Sequence, residues 1–162
     1  MDAIQDFEDM LALLERHDVR YLVVGGLAFI FHAKPRYTKD MDLWVDPAAE
    51  NVARANRALA EFGSPTLLDP ANPSEILQIG VAPDRIDILR ELPPVAFDAA
   101  WPKRIRSRYG TAAANWIDID SLLEIKAHID EPRHQDDARV LSEVRRRRKV
   151  PASPPGRAPT PD

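Results

Sequence analysis

The sequence predicts an α/β (α+β) chain, a small mixed β-sheet flanked by helices, with further helices at its C-terminal end. Three observations lead there. Short apolar runs with strand character recur at residues 21–24, 41–45 and 85–89. Around them lie longer stretches whose apolar residues return every three to four positions, the period of a helix with one buried face. At 162 residues, with 44% hydrophobic and 30% charged side chains, the chain has the size and composition of one ordinary globular domain.

The elements follow in order. Residues 3–16 set Ile4, Phe7, Met10, Leu11 and Leu14 at helical spacing. The run at 21–24 reads as a buried strand. Residues 27–32 form a short helix that stops before Pro35, since a residue preceding proline avoids the helical region. Residues 41–45 are the second strand. In 48–62, Val52, Ala55, Leu59 and Phe62 share one side, and Gly63 ends that helix. Residues 75–81 and 85–89 read as two strands joined by a turn at Ala82-Pro83-Asp84. A helical turn is expected at 95–101, an edge strand at 104–109 and an apolar strand at 115–119. Asp120 or Ser121 then caps a helix running to His128, and 133–148 make the last helix. Residues 150–162 hold five of the fifteen prolines and are expected to stay disordered, leaving 1–149 as the domain.

Composition closes off several classes of function. There is no cysteine, so disulfides, thiolate metal sites and cysteine nucleophiles are excluded. No apolar run approaches the ~18 residues of a membrane span, and the acidic amphipathic start is unlike a signal peptide. A cytoplasmic protein without membrane contact is expected. The net charge of −4 is split, with −9 on residues 1–144 and +5 on 145–162. An acidic body suits nucleic acid poorly, because phosphates must be met by cations. The run Arg145 to Lys149 is either the one patch that attracts a polyanion or the solvated end of a helix.

The residues that carry chemistry lie close together. A strand runs into Gly25-Gly26 and a short helix, whose N-terminal amides suit an anion such as a phosphate. After thirteen further residues come Asp40 and Asp42, which as i and i+2 on a strand share one face. Paired carboxylates repel unless a cation lies between them, and a hard divalent ion takes such oxygen ligands. Asp42 sits within MDLWV and Asp87 within RIDIL, where an unpaired half-buried charge is costly. The plainer reading of Asp87 is a salt bridge to Arg85 or Arg90. Arg36 and Thr38 stand just before the aspartate pair and are expected to contact phosphate or position Asp40. The four histidines form no spaced pair with the acids and read as structural. The three tryptophans read as core or edge packing.

In this order, Gly25-Gly26 and then Asp40-Met41-Asp42-Leu43, the chain resembles the nucleotidyltransferase superfamily of DNA polymerase β type. The resemblance implies a third carboxylate on a later strand, for which Asp87 is the match. Residues 121–141, with Lys126 and then Asp136-Asp137, are similar to AbiEii-like toxin–antitoxin members. What this implies is a metal-dependent enzyme using Mg²⁺ or Mn²⁺. Asp40, Asp42 and Asp87 would be both catalytic residues and metal ligands. Gly25, Gly26, Arg36, Thr38 and Lys126 would bind the nucleotide. An NTP would donate its NMP to a hydroxyl of tRNA, other RNA or a partner protein. Two further readings remain beside it: an aminoglycoside-type small-molecule acceptor, and a non-catalytic binding module of the same fold.

Overall fold

The computed structural model describes residues 3–149. The Pro-rich segment at 150–162 lies outside the described residues. The helices are α1 (Gln5–Arg16), α2 (Gly25–His32), α3 (Ala49–Phe62), α4 (Phe97–Ala100), α5 (Ile119–His128) and α6 (Pro132–Lys149). The strands are β1 (Tyr21–Val24), β2 (Asp40–Val45), β3 (Leu77–Ile79), β4 (Arg85–Leu89), β5 (Ile105–Tyr109) and β6 (Ala112–Trp116). A 3-10 turn, Trp101–Lys103, continues α4. The strands make one mixed sheet in the order β3-β4-β2-β1-β6-β5. β1 runs antiparallel to β2, the pairs β2/β4 and β1/β6 are parallel, and β3 and β5 close the edges antiparallel.

All four residues of β1 are buried, so both faces of the sheet are covered at its centre. Helix α1 packs on α3 and β6, while α2 lies on β1 and β2 and meets α5 and α6. The apolar stripe of α1 is used as its spacing demands: Phe7, Met10, Leu11 and Leu14 are all buried. Val52, Ala55 and Leu59 of α3 meet the same core, and Phe62 packs partly buried against it. Gly63 stops α3 in the left-handed conformation at φ 97°, with its amide bonded back to Leu59 and Ala60. Trp44 and Tyr21 are the largest fully buried side chains, and Trp116 is 4% exposed, so these rings are core.

Several boundaries differ from the sequence expectation. Strand β6 begins at Ala112, not at 115, because the turn after Tyr109 pairs that residue with Ala112. Its first three residues are alanines, which have little strand preference of their own, so tertiary pairing sets the start. It ends at Trp116, and the cap of α5 is Asp118, not Asp120 or Ser121: the Asp118 carboxylate accepts the Ser121 amide at 3.0 Å. Strand β3 is confined to three residues, and the flanking Ile76 and Val81 are 56% and 78% exposed. No helix among the described residues is long and apolar enough to cross a membrane.

Candidate active site

Strand register builds the site. Asp42 lies opposite Val24 of β1 and beside Asp87 of β4, while Asp40 lies beside Arg85. Period-two alternation turns Asp40 and Asp42 to one face of β2, and Arg85 and Asp87 to the same face of β4. Asp40, Asp42 and Asp87 thereby each bring a carboxylate oxygen within 4.8 Å of the others. Asp87 is buried; Asp40 and Asp42 are partly exposed.

Three negative groups in that space act on one another. Burial, then the charges of Asp40 and Asp87, push the Asp42 carboxyl up to about 7, and Arg85 offsets this only in part. Burial also raises Asp87, with Arg85 pulling it back. Arg85 donates from Nη2 to Asp40 Oδ2 at 2.6 Å, and its Nε lies 3.2 Å from Asp87 Oδ1. That second contact pairs charges without the alignment of a hydrogen bond, so the buried Oδ1 of Asp87 has no hydrogen-bond partner among the described residues. One guanidinium against three carboxylates leaves an excess of negative charge on oxygen-only donors. An orphaned buried oxygen within such a set fits a hard divalent cation, Mg²⁺ or Mn²⁺. Arg90 points elsewhere. It is 2% exposed and donates to the carbonyls of Asp69 and Asn72, each at 2.7 Å.

The two glycines are explained by close approach. Gly25 has φ +66°, and a β-carbon there would overlap the Asp42 carboxylate. At Gly26 a β-carbon would lie 2.7 Å from Thr38 Oγ1. Without side chains, the start of α2 sits directly against the acidic cluster. The Thr38 hydroxyl donates to the Asp40 carbonyl at 3.4 Å, tying the preceding loop to β2.

A second cluster forms the opposite wall. Asp137 of α6 accepts from Lys126 Nζ of α5 at 2.9 Å, and from both Nη atoms of Arg36 at 2.6 and 3.1 Å. The Arg36 guanidinium also lies 4.1 Å over the Phe29 ring. Burial lowers the Lys126 ammonium from its ordinary value, opposed by its bond to Asp137. Burial would raise Asp137, yet the bonds from Arg36 and Lys126 hold it below the usual carboxylate range. His134 Nδ1 is 3.2 Å from Lys126 Nζ. An ammonium can only donate, so this imidazole nitrogen accepts. Burial and the charges of Lys126 and Arg133 lower His134, in keeping with a neutral ring.

The structure therefore brings Gly25, Gly26, Arg36, Thr38, Asp40, Asp42, Asp87 and Lys126 into one cleft of about 610 Å³. His134, read from the sequence as one of four structural histidines, also lines that cleft. Nothing in the sequence marks it, because its partner Lys126 sits eight residues away on another helix. Asp136 is not part of the cleft; it pairs with Arg139 on the exposed side of α6. The basic run is engaged with neighbours: Arg145 with Asp120, Arg146 and Arg147 with Glu143, and Arg148 with the His32 carbonyl. A second cleft of about 540 Å³ surrounds Trp101. Its three arginines are also committed, Arg20 to Asp46, Arg106 to Glu15 and Arg104 to the Trp101 carbonyl. Of the two, the first alone joins clustered carboxylates to a glycine-led helix and a buried lysine, Lys126.

The fold is that of nucleotidyltransferases. The lincosamide antibiotic adenylyltransferase LnuA, in a lincomycin-bound structure, superposes with a TM-score of 0.57 at 15% identity, covering 88% of this chain and 99% of LnuA. ANT(2'')-Ia in complex with adenylyl-2''-tobramycin gives 0.53 at 12% identity, covering 86% and 90%. A candidate nucleotidyltransferase from Thermotoga maritima gives 0.55 at 15% identity, covering 88% and 92%. No protein-family model and no curated protein matches the sequence.

Proposed function

We propose that this chain transfers a nucleoside monophosphate from an NTP to an acceptor hydroxyl, with Mg²⁺ or Mn²⁺ held by Asp40, Asp42 and Asp87. The observation that carries the reading is the meeting of these carboxylates within 4.8 Å, against the glycine-led start of α2. When bound, the cation screens the clustered carboxylates and draws charge from phosphate and hydroxyl oxygens. The remaining work falls to the chain itself. The first amides of α2 have no partner within the helix and donate to phosphate. Lys126, steered by Asp137 and His134, sets an ammonium into the same cleft, and Arg36, locked to Asp137, adds a second fixed charge. The acceptor oxygen bonds to the α-phosphorus as the bond to pyrophosphate breaks. The hydroxyl proton passes to the Asp87 carboxylate. The charge released on pyrophosphate faces Lys126 and Arg36.

The acceptor divides the reading. Similarity of residues 121–141 to toxin–antitoxin members supports tRNA, other RNA or a partner protein, in the cytoplasm. Two observations favour a small-molecule hydroxyl instead. Lincomycin and adenylyl-tobramycin are bound in neighbours of the same fold, and the basic run 145–148 is tied up in ion pairs and a carbonyl contact. The test is transfer of label from α-³²P-NTPs with Mg²⁺ to aminoglycosides, lincosamides, total tRNA and cell-lysate protein. Label should reach one acceptor class with wild type and none with Asp42→Asn or Asp87→Asn. Absence of transfer to all four with every NTP sinks the proposal.

A further inference from the structure

Tyr37 is 72% exposed, whereas no other Phe, Tyr or Trp side chain among the described residues exceeds 36%. It is nevertheless in the wall of the acidic cleft. Its exposure is not the slack of a free loop, because both neighbours are fastened. Arg36 holds Asp137 through two hydrogen bonds and lies over Phe29. Thr38 packs against Gly26 and donates to the Asp40 carbonyl. The ring between them stacks on no other ring, and its hydroxyl has no hydrogen-bond partner, among the described residues. Leaving a large aromatic face in water where it could be buried forgoes its hydrophobic stabilisation. The surrounding groups suit a nucleotide: phosphate donors at Gly25 and Gly26, and cations at Arg36, Lys39, Lys126 and Arg133 lining the same cleft.

We propose that Tyr37 is the stacking platform for the nucleobase of the donor NTP, the residue that lets this cleft select a nucleotide over a bare polyphosphate. This rests on the NTP reading above. Adjacency favours the donor: in that reading Arg36, next in sequence and lining the same cleft, meets the phosphates to which the nucleoside is attached. Stacking accepts any base, because each presents a π-face. Tyr37 therefore contributes affinity for NTPs in general, not a choice among them.

The test compares binding of Mg²⁺-ATP, Mg²⁺-GTP and Mg²⁺-tripolyphosphate to the 162-residue chain by calorimetry, for wild type, Tyr37→Ala and Tyr37→Trp. Tyr37→Ala should weaken both NTPs about tenfold or more and leave tripolyphosphate unchanged. Tyr37→Trp, which restores a π-face, should bind NTPs at least as well as wild type. Equal weakening of all three ligands would mean that the loop had merely lost its shape, and would overturn the proposal. Unchanged NTP binding in Tyr37→Ala would overturn it too, even if acceptor affinity fell, since the ring would then serve the acceptor. Wild type that binds tripolyphosphate as tightly as NTPs would show that no base is recognised. Wild type that binds none of the three ligands would remove the NTP reading itself, and this inference with it.

Discussion

Gly25 and Asp42 sit back to face: the strand partner of Asp42 is Val24, and the next residue turns into α2 with no room for a β-carbon beside the Asp42 carboxylate. Gly25→Ala must move that carboxylate and also hold alanine at φ +66°. The left-handed conformation alone costs about 1–2 kcal/mol. A loss of roughly 2–3 kcal/mol in urea unfolding is expected, together with loss of the melting-temperature rise on adding Mn²⁺ and NTP. Gly63→Ala is the control. It has φ +97° with nothing within 4 Å, so it should lose only the conformational part and keep the full ligand response.

Asp42→Asn should make the metal-free protein more stable at neutral pH. The folded-state carboxyl is raised to about 7 from 3.8. As pH rises from about 4 to 7 the unfolded chain ionises this group first, so wild type loses stability across that window. The asparagine variant lacks this loss. The difference should be near zero at pH 4 and reach about 1–3 kcal/mol by pH 8, after discounting for partial exposure. The same variant should no longer be stabilised by Mg²⁺-NTP, as thermal unfolding would show. A pH-independent difference would count against mutual repulsion in the cluster.

Asp137 anchors two cations, and removing it differs from removing either one. Asp137→Ala leaves Lys126 buried without its carboxylate and frees Arg36, and should cost about 3–5 kcal/mol. Lys126→Met should cost less, because Asp137 keeps both bonds from Arg36. Urea titrations of the two single variants and the double variant measure the coupling. Equal costs would show that Arg36 does not share the load.

His32 provides a second pH dependence at another place. It is 4% exposed, and its Nε2 lies 2.6 Å from the Ile117 carbonyl. Burial lowers it from its ordinary value, and the Arg148 charge adds to this. A histidine whose folded value is depressed contributes stability that is present above the unfolded value, near 6.5, and lost as pH falls through the folded value. His32→Gln, which can still donate to Ile117, should flatten the stability profile as pH falls below the unfolded value near 6.5. An unchanged slope below that value would place the acid sensitivity elsewhere.

Much of the fold was legible because its signals are local. The short apolar runs of MDLWV and RIDIL mark two strands, and the period of two along a strand turns Asp40 and Asp42 to one face, whatever the rest of the chain does. Helical spacing identifies the buried face of α1, and Gly63 closes α3 because only a residue tolerant of positive φ fits there. The glycine pair and three aspartates in apolar settings are chemical anomalies, and such anomalies stand out in a linear string. What the string lacks is anything set by approach between distant elements. That Asp42 borders Asp87, and Asp40 borders Arg85, depends on β4 entering the sheet beside β2 in one register. A one-residue slip would have turned every side chain to the other face. The Arg36–Asp137–Lys126–His134 wall joins a loop, α5 and α6, and no spacing rule relates residues on three elements. Asp118 became the cap of α5 because β6 ends at Trp116, a boundary set by pairing with Ile105 and Val23 rather than by propensity. The types of element and the chemistry on offer were thus properties of the sequence itself. Which charges neutralise one another, and how closely the carboxylates meet, belonged to the tertiary structure, because electrostatic and steric terms act through distance in space and not along the chain.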